Sequence, residues 1–173
     1  SKADDISDFE IEGMSIGDSL LDYFSEVEIK DNSSLDAFDY LNKGKIFYYA
    51  EFFKKPSFEK YDAVQVILKF NDKNYQVYGV NAGLFIEDVN ECRKKLDEGI
   101  KELSEFFKNA EKVDQPFIKL KADKSGKSTY GGIAFFMESG SISLKCYDWS
   151  ENIGYDDTLR MSIKTKEYNN FLK

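Results

Sequence analysis

The residues of this chain that could do chemistry are mainly carboxylates and lysines, because none of its 173 residues is a histidine. Histidine is the usual general base near neutral pH and the most common metal ligand in proteins. Catalytic triads, cysteine–histidine dyads and histidine-based zinc sites are therefore excluded. Acid–base chemistry by paired carboxylates remains open. The sequence predicts no catalytic residue, no cofactor and no metal ligand.

The two cysteines are candidates for a disulfide. Cys92 falls on the apolar stripe of a helix predicted over about 88–110, and Cys146 shares a strand face with Ile142 and Leu144. Both patterns direct the sulfur atoms into one core, where a disulfide would stabilise the fold by about 4 kcal/mol in the chain-entropy model. Two buried, unreactive thiols are the alternative, and the pattern alone does not separate the two.

A lysine-rich loop over 119–128 contains a Gly-Lys-Ser triplet like that of phosphate-binding loops. The P-loop pattern needs a glycine where Lys121 stands, and a helix rather than strand-like sequence after the loop. We therefore expect no nucleotide site. The four lysines of the loop could bind an anion weakly; they are Lys119, Lys121, Lys124 and Lys127. The alternative is a solvated turn without a ligand.

Asp148, Ser150 and Asn152, followed by Gly154, have the alternating spacing of a calcium-binding loop. Asp156 and Asp157, which are nearby, could complete a different oxygen site. The EF-hand pattern requires a glycine and a glutamate at the positions that Ile153 and Leu159 occupy. An acidic turn between two strands is therefore the prediction for this segment.

Tyr147 and Trp149 are predicted to lie on the strand face opposite Cys146. If no helix covers that face, the two rings could form a stacking platform for a sugar or another ring. In the alternative, which we favour, they pack beneath the N-terminal helices.

Charge and composition limit the partners of the chain. The formal net charge is −8, which works against binding to nucleic acid or to an anionic membrane surface. No apolar run approaches the roughly 20 residues of a membrane span, so we expect a soluble protein. The partner expected is a protein or a small ligand, and the sequence predicts no oligomeric state.

The order of elements predicts one α+β domain over 1–173, with a loose lead-in at 1–8. An antiparallel sheet or sheets of about six strands, in two three-strand runs, would pack against one long central helix and short N- and C-terminal helices. Helices are predicted at 16–24, 25–30, 88–110 and 165–173, and capping patterns mark the start of the first three. The predicted strands are a short one at 9–12 and six others at 46–53, 63–70, 75–86, 130–137, 141–149 and 158–164.

Three stretches of the chain form a distinctive combination: FEIEGMSIGDSLLDYFS (9–25), DKSGKS (123–128) and CYDWS (146–150). With them, the chain resembles a family of small uncharacterised exported proteins of marine alphaproteobacteria, over most of its length from Ala3 to Leu172. The resemblance implies a signal peptide removed before this start and a periplasmic or secreted location. In that oxidising setting it also implies a Cys92–Cys146 disulfide. It implies no activity and no functional residues.

We therefore expect a non-enzymatic periplasmic binding or assembly module that presents a sheet face or edge to a partner. One alternative is a glycosidase-like hydrolase that uses carboxylates alone, with two carboxyl groups about 5–10 Å apart across a cleft. The other is a purely structural protein.

Overall fold

Eight antiparallel strands form one sheet in the computed structural model, which describes residues 5–173. In chain order they are β1 (Ser33–Ser34), β2 (Phe47–Phe53), β3 (Ala63–Lys69), β4 (Gly79–Phe85), β5 (Glu111–Lys119), β6 (Thr129–Met137), β7 (Gly140–Asp148) and β8 (Thr158–Thr165). Their order across the sheet is β1-β2-β3-β4-β8-β7-β6-β5. Pairing of β4 with β8 at the centre therefore joins two runs of strands into a single sheet.

Three α-helices accompany the sheet in the described part of the chain: α1 (Glu26–Asp31), α2 (Val89–Phe106) and α3 (Lys166–Leu172). Each begins with a side-chain cap: Ser25 for α1, Asp88 for α2 and Thr165 for α3. The sequence predicts the first two of these caps. None of these helices is both long and apolar enough to cross a membrane.

The two faces of the sheet differ because side chains alternate along each strand. Val66, Ala82 and Met161 belong to the main core, which lies on the face that α2 covers. A smaller cluster occupies the other face, where Tyr168 and Phe171 of α3 are buried with residues of β2 and β3. The long helix and the antiparallel sheet predicted from the sequence are thereby confirmed, as one sheet of eight strands.

The N-terminal region differs from the prediction. The helix expected at 16–24 is wrong, since only the short 3-10 turn Leu20–Asp22 forms there. Gly17 has φ +92°, outside the helical region. Asp18 closes a turn instead, because its Oδ2 accepts a hydrogen bond of 2.9 Å from the N–H of Ser15.

The strand expected at 9–12 is also wrong, because only a single bridge joins Ile11 to Met14. The predicted lead-in at 1–8 falls partly on residues 1–4, which lie outside the described residues. Within the rest of it, Ile6 is 1% exposed, and its N–H donates a hydrogen bond of 3.0 Å to the hydroxyl of Ser139.

Two strands were not predicted, and the ends of two other elements were predicted at the wrong residues. β5 lies at one edge of the sheet with most of its side chains exposed, and the two-residue β1 lies at the other edge. The predicted strand 75–86 is shorter, since Gln76 forms a bridge with Ser19 and β4 begins only at Gly79. α2 ends at Phe106 rather than at 110, because the next residues turn into β5.

Candidate functional site

On the sheet face opposite α2, α3 packs against one end only. The other end of this face carries half-buried and exposed side chains, and we call it the open face. Strand register places five of its residues in one row across the sheet, in the order Phe53, Ala63, Gly83, Arg160 and Lys145. The two small residues stand between a phenylalanine and an arginine. A depression therefore lies between those two large side chains.

This depression, called here the hollow, has a volume of about 200 Å³. Phe53 borders it and is 57% exposed, which is unusual for a phenylalanine. Gly83 forms part of the floor, and a Cβ added there would lie 3.1 Å from the Thr158 methyl carbon. The hollow thus depends on the absence of a side chain at one strand position.

A second row, next to the first, is polar across three strands. The amide nitrogen Nε2 of Gln65 donates a hydrogen bond of 2.7 Å to Oε2 of Glu51. Nδ2 of Asn81 lies 3.5 Å from Oε1 of Gln65 and donates to it weakly. All three residues line the hollow. One wall of the hollow therefore offers hydrogen-bonding groups in a connected chain.

Arg160 lines the hollow and also lies against the aromatic part of the open face. Its guanidinium carbon is 4.3 Å from the centre of the Tyr147 ring. Tyr147 stacks in turn on Tyr130 at 5.4 Å and on Trp149 at 6.3 Å between ring centres. Tyr155 packs edge-on against Trp149 at 4.9 Å. These rings hold the arginine in place beside the hollow.

The preferred interpretation of Tyr147 and Trp149 is corrected by this arrangement. The described part of the N-terminal segment, from residue 5 onwards, does not cover them, because its buried residues Ile6, Ile11 and Met14 join the core on the opposite face of the sheet. The two rings instead pack against neighbouring aromatic residues and remain half-buried. Their role in ligand stacking stays a prediction.

Three cations, Lys145, Arg160 and Lys164, lie on this side of the sheet. Among the described residues, Lys145, Arg160 and Lys164 take part in none of the ion pairs. Burial lowers the pKa of Lys145, and the charges of Lys164 and Arg160 lower it further. Burial and the charge of Arg160 likewise lower the pKa of Lys164. Unpaired positive charge therefore accumulates here, although the chain has a net charge of −8.

The predicted disulfide is present. Cys92 on α2 and Cys146 on β7 are bonded, with 54 residues of separation in the sequence. Both are buried, at 2% and 1% exposure. The bond ties the first turn of α2 to the sheet and leaves no free cysteine in the described chain.

The lysine-rich loop is organised by a buried carboxylate. Oδ2 of Asp123 accepts hydrogen bonds from the hydroxyl and N–H of Ser128, at 2.5 and 3.0 Å. Its Oδ1 accepts from the hydroxyl and N–H of Ser125, at 2.7 and 2.9 Å. These bonds hold the pKa of Asp123 well below its usual range. In a P-loop, backbone N–H groups donate hydrogen bonds to phosphate. Here the N–H groups of Ser125 and Ser128 donate to the carboxylate of Asp123 instead.

The four lysines of that loop are all exposed. Anion binding by Lys119, Lys121, Lys124 and Lys127 stays a prediction.

The segment that resembles a calcium loop forms an acidic turn after β7. Oδ1 of Asp157 accepts a hydrogen bond of 2.7 Å from the N–H of Trp149. Burial raises the pKa of Asp157, and the charges of Asp148 and Asp156 raise it further. Over residues 5–173 there is no group of three or more carboxylates and cysteines arranged to hold a metal ion.

A larger cleft of about 720 Å³ lies on the face that α2 covers, between this helix and residues 9–13 and 59–61. Its volume is typical of small-molecule sites, which span roughly 300–1,000 Å³. The side chains of Leu84, Leu159 and Met161 contribute to its lining. β8 therefore serves both sites, since Leu159 lines the cleft and Arg160 lines the hollow.

Sequence reasoning missed most residues of the hollow. Phe53, Gly83 and Arg160 lie on three strands for which the sequence pattern predicted only the buried, apolar face. The signal that could have identified the exposed face is the polar or small residue at alternate positions of each strand. Compared with models of protein families, with curated proteins and with solved structures, the chain matches none.

Proposed function

We propose that the protein is a binding module whose open face holds a small anionic ring compound with hydroxyl groups, of the sugar-acid class. The hollow would receive the ring, and Arg160 would pair with the carboxylate. This proposal refines the expectation of a non-enzymatic module that presents a sheet face to a ligand.

The observation that carries the proposal is the placement of Arg160. Its guanidinium contacts Tyr147 on one side, lines the hollow on the other and has no carboxylate partner among the described residues. Arginine binds carboxylates through charge-assisted, often paired hydrogen bonds. A guanidinium already held by an aromatic ring loses little freedom when it binds, which favours affinity.

The other walls of the hollow fit a sugar rather than a featureless anion. Exposed Phe53 offers an apolar ring for the C–H face of a sugar. Gln65, Asn81 and Glu51 offer donors and acceptors for hydroxyl groups. The volume of about 200 Å³ suits one ring rather than a long oligosaccharide.

Titration calorimetry at low salt tests this proposal with three probes. We expect galacturonate to bind, and galactose to bind roughly tenfold more weakly, because a hydrogen bond between charged groups contributes about 1.5–3 kcal/mol. The third probe, 4-hydroxybenzoate, is an anionic ring without the sugar hydroxyls. If it bound and galacturonate did not, the ligand class would be an aromatic acid. If galacturonate and galactose bound equally, the role of Arg160 would be contradicted.

We also propose a periplasmic or secreted location. The disulfide supports it, because such bonds persist in oxidising compartments. The resemblance to exported proteins of marine alphaproteobacteria points the same way and stays a prediction. Fractionation of a bacterium that expresses the chain from its native gene would test the location, and recovery from the cytosol with two reduced thiols would contradict it.

The carboxylate-only hydrolase is the second candidate, and the cleft beside α2 favours it. Glu98 and Glu102 of α2 line this cleft together with Glu10. A panel of nitrophenyl glycosides tests the candidate directly. Turnover by the native protein that disappears in Glu98→Gln or Glu102→Gln would show that the protein is an enzyme rather than a binding module. Absence of turnover with every glycoside of the panel would contradict the glycosidase.

A further inference from the structure

The helical wall of the cleft is fixed by its own contacts. The Cys92–Cys146 disulfide holds the start of α2 to β7, and Phe107, which is fully buried, anchors the end of the helix. Between them, a Cβ added to Gly99 would lie only 2.4 Å from Cδ2 of Leu144. The helix therefore lies against the sheet at this point and does not need a ligand to stay there.

The opposite wall is fixed separately. Oε2 of Glu12 accepts a hydrogen bond of 2.5 Å from the N–H of Glu59, and its Oε1 accepts one of 3.1 Å from the N–H of Lys60. The bridge between Ile11 and Met14 holds the turn that presents Glu12. Two independently anchored walls keep the space between them open.

The lining of the cleft combines an apolar floor with an acidic border. Leu84, Leu159 and Met161 lie on the sheet side. Five glutamates border the same space, and only two lysines, Lys60 and Lys95, accompany them: Glu10, Glu12, Glu59, Glu98 and Glu102. Within residues 5–173, none of the five glutamates belongs to an ion pair.

Negative charge is concentrated there despite its cost to the fold. Glu98 and Glu102 stand four residues apart on α2, a spacing at which like charges destabilise a helix. Burial raises the pKa of Tyr61 to about 12, and the charges of Glu12 and Glu102 contribute to that rise. A cation entering the cleft would relieve this repulsion.

We propose that the cleft is a second binding site, which takes a primary amine carried on an aromatic or aliphatic body. The apolar body would lie against Leu84, Leu159 and Met161, and the ammonium group would lie near Glu98 and Glu102. The site is separate from the hollow and opposite to it in charge. The proposal does not depend on the proposed function.

Tryptamine, indole-3-ethanol and indole-3-propionate are matched probes, because they share an indole body and differ in the charge of the side chain. Titration calorimetry at low salt should show tryptamine binding roughly tenfold more tightly than indole-3-ethanol, because the exposed carboxylates of Glu98 and Glu102 attract its ammonium group. Indole-3-propionate should bind most weakly. Equal binding of the amine and the alcohol would overturn the proposal.

Variants locate the binding within the cleft. Glu98→Gln with Glu102→Gln should weaken tryptamine binding roughly five- to tenfold. Glu105→Gln is the control, because Glu105 is an exposed residue of the same helix outside the cleft lining. Equal loss in the double variant and the control would mean that only the net charge matters, which would overturn the site.

Leu84→Trp, which fills part of the floor, should also weaken tryptamine binding, whereas Arg160→Ala should leave it unchanged. Unaltered binding to Leu84→Trp, with its fold verified by circular dichroism, would overturn the site as well. Tryptamine binding that survives in a protein unable to bind galacturonate would separate this proposal from the proposed function.

Discussion

The guanidinium carbon of Arg160 lies 4.3 Å from the centre of the Tyr147 ring, on the open face of the sheet. The only other arginine of the chain, Arg93, has an equivalent contact, at 4.0 Å from the centre of the Phe117 ring. The two arginines differ in their surroundings, because Arg160 alone lines the hollow. They therefore provide a matched pair for experiment.

The disulfide should contribute much of the stability of the fold. Replacing both Cys92 and Cys146 by alanine should lower the free energy of unfolding by about 4 kcal/mol, because the bond closes a loop of about 50 residues in the unfolded chain. Urea unfolding of the variant and the native protein measures this difference. Two titratable thiols in the denatured, unreduced native protein would contradict the bond itself.

Asp123 should make the lysine-rich loop sensitive to acid. Its pKa in the folded protein is lowered by hydrogen bonds from Ser128 and Ser125, so its contribution to stability is present above about pH 4 and is lost as the pH falls further. Asp123→Asn should therefore be less stable than the native protein at pH 7, and this difference should shrink as the pH falls below 4. Thermal unfolding across pH measures both effects.

Lys124→Ala is the control for that experiment, because Lys124 is an exposed residue of the same loop. It should unfold like the native protein. An Asp123→Asn variant whose deficit persisted unchanged at low pH would contradict the role of the carboxylate charge.

Lys145 should destabilise the unliganded protein. Burial and the charges of Lys164 and Arg160 lower its pKa below 10.5, so the protonated form is disfavoured in the folded state. The destabilisation by Lys145 should therefore be full at pH 7 and should shrink as the pH rises towards 10, where this lysine loses its proton more readily in the folded chain than in the unfolded chain. Lys145→Met should be more stable than the native protein at pH 7, and the difference should narrow towards pH 10.

Urea unfolding at several pH values tests this prediction. The matched control is Lys101→Met, which changes an exposed lysine of α2. If both variants showed the same pH dependence as the native protein, the three cations of the open face would not repel one another appreciably.

Gly132 should be essential for pairing of β6 with β7. A Cβ at this position would lie 2.0 Å from the carbonyl oxygen of Leu144, which belongs to the backbone and cannot move aside easily. Gly132→Ala should therefore lower the free energy of unfolding by about 1–3 kcal/mol. Gly83→Ala should cost less, because the nearest atom is the methyl group of Thr158 at 3.1 Å. Equal stability of the two variants would contradict this difference in packing.

The sequence predicted the elements of the fold that have a clear apolar periodicity or a capping residue. α2 was expected because apolar residues repeat along one side of it and Asp88 caps its start. β5 was not expected, because an edge strand with exposed side chains and Pro116 has no buried face to leave a pattern. The helix expected at 16–24 failed because Gly17 adopts a positive φ that a hydrophobic stripe does not reveal.

The candidate site was predictable only in part. Tyr147 and Trp149 were assigned to the strand face opposite Cys146 from alternation alone, with a stacking platform as the less favoured of two alternatives. Arg160 and Phe53 were not, because they come together through the register of four strands, β2, β3, β4 and β8. A single sequence does not specify which strands are neighbours, so the row that forms the hollow appears only once the sheet order is known.

A comparison of the two arginines tests the proposed role of Arg160 in ligand binding. Trp149 is the only tryptophan, and it stacks on Tyr147, so its fluorescence can report on ligand binding beside Arg160. Galacturonate titrations of the native protein, Arg160→Ala and Arg93→Ala should give roughly tenfold or greater loss of affinity for Arg160→Ala, and native affinity for Arg93→Ala. Equal affinities for all three proteins would contradict carboxylate binding by Arg160.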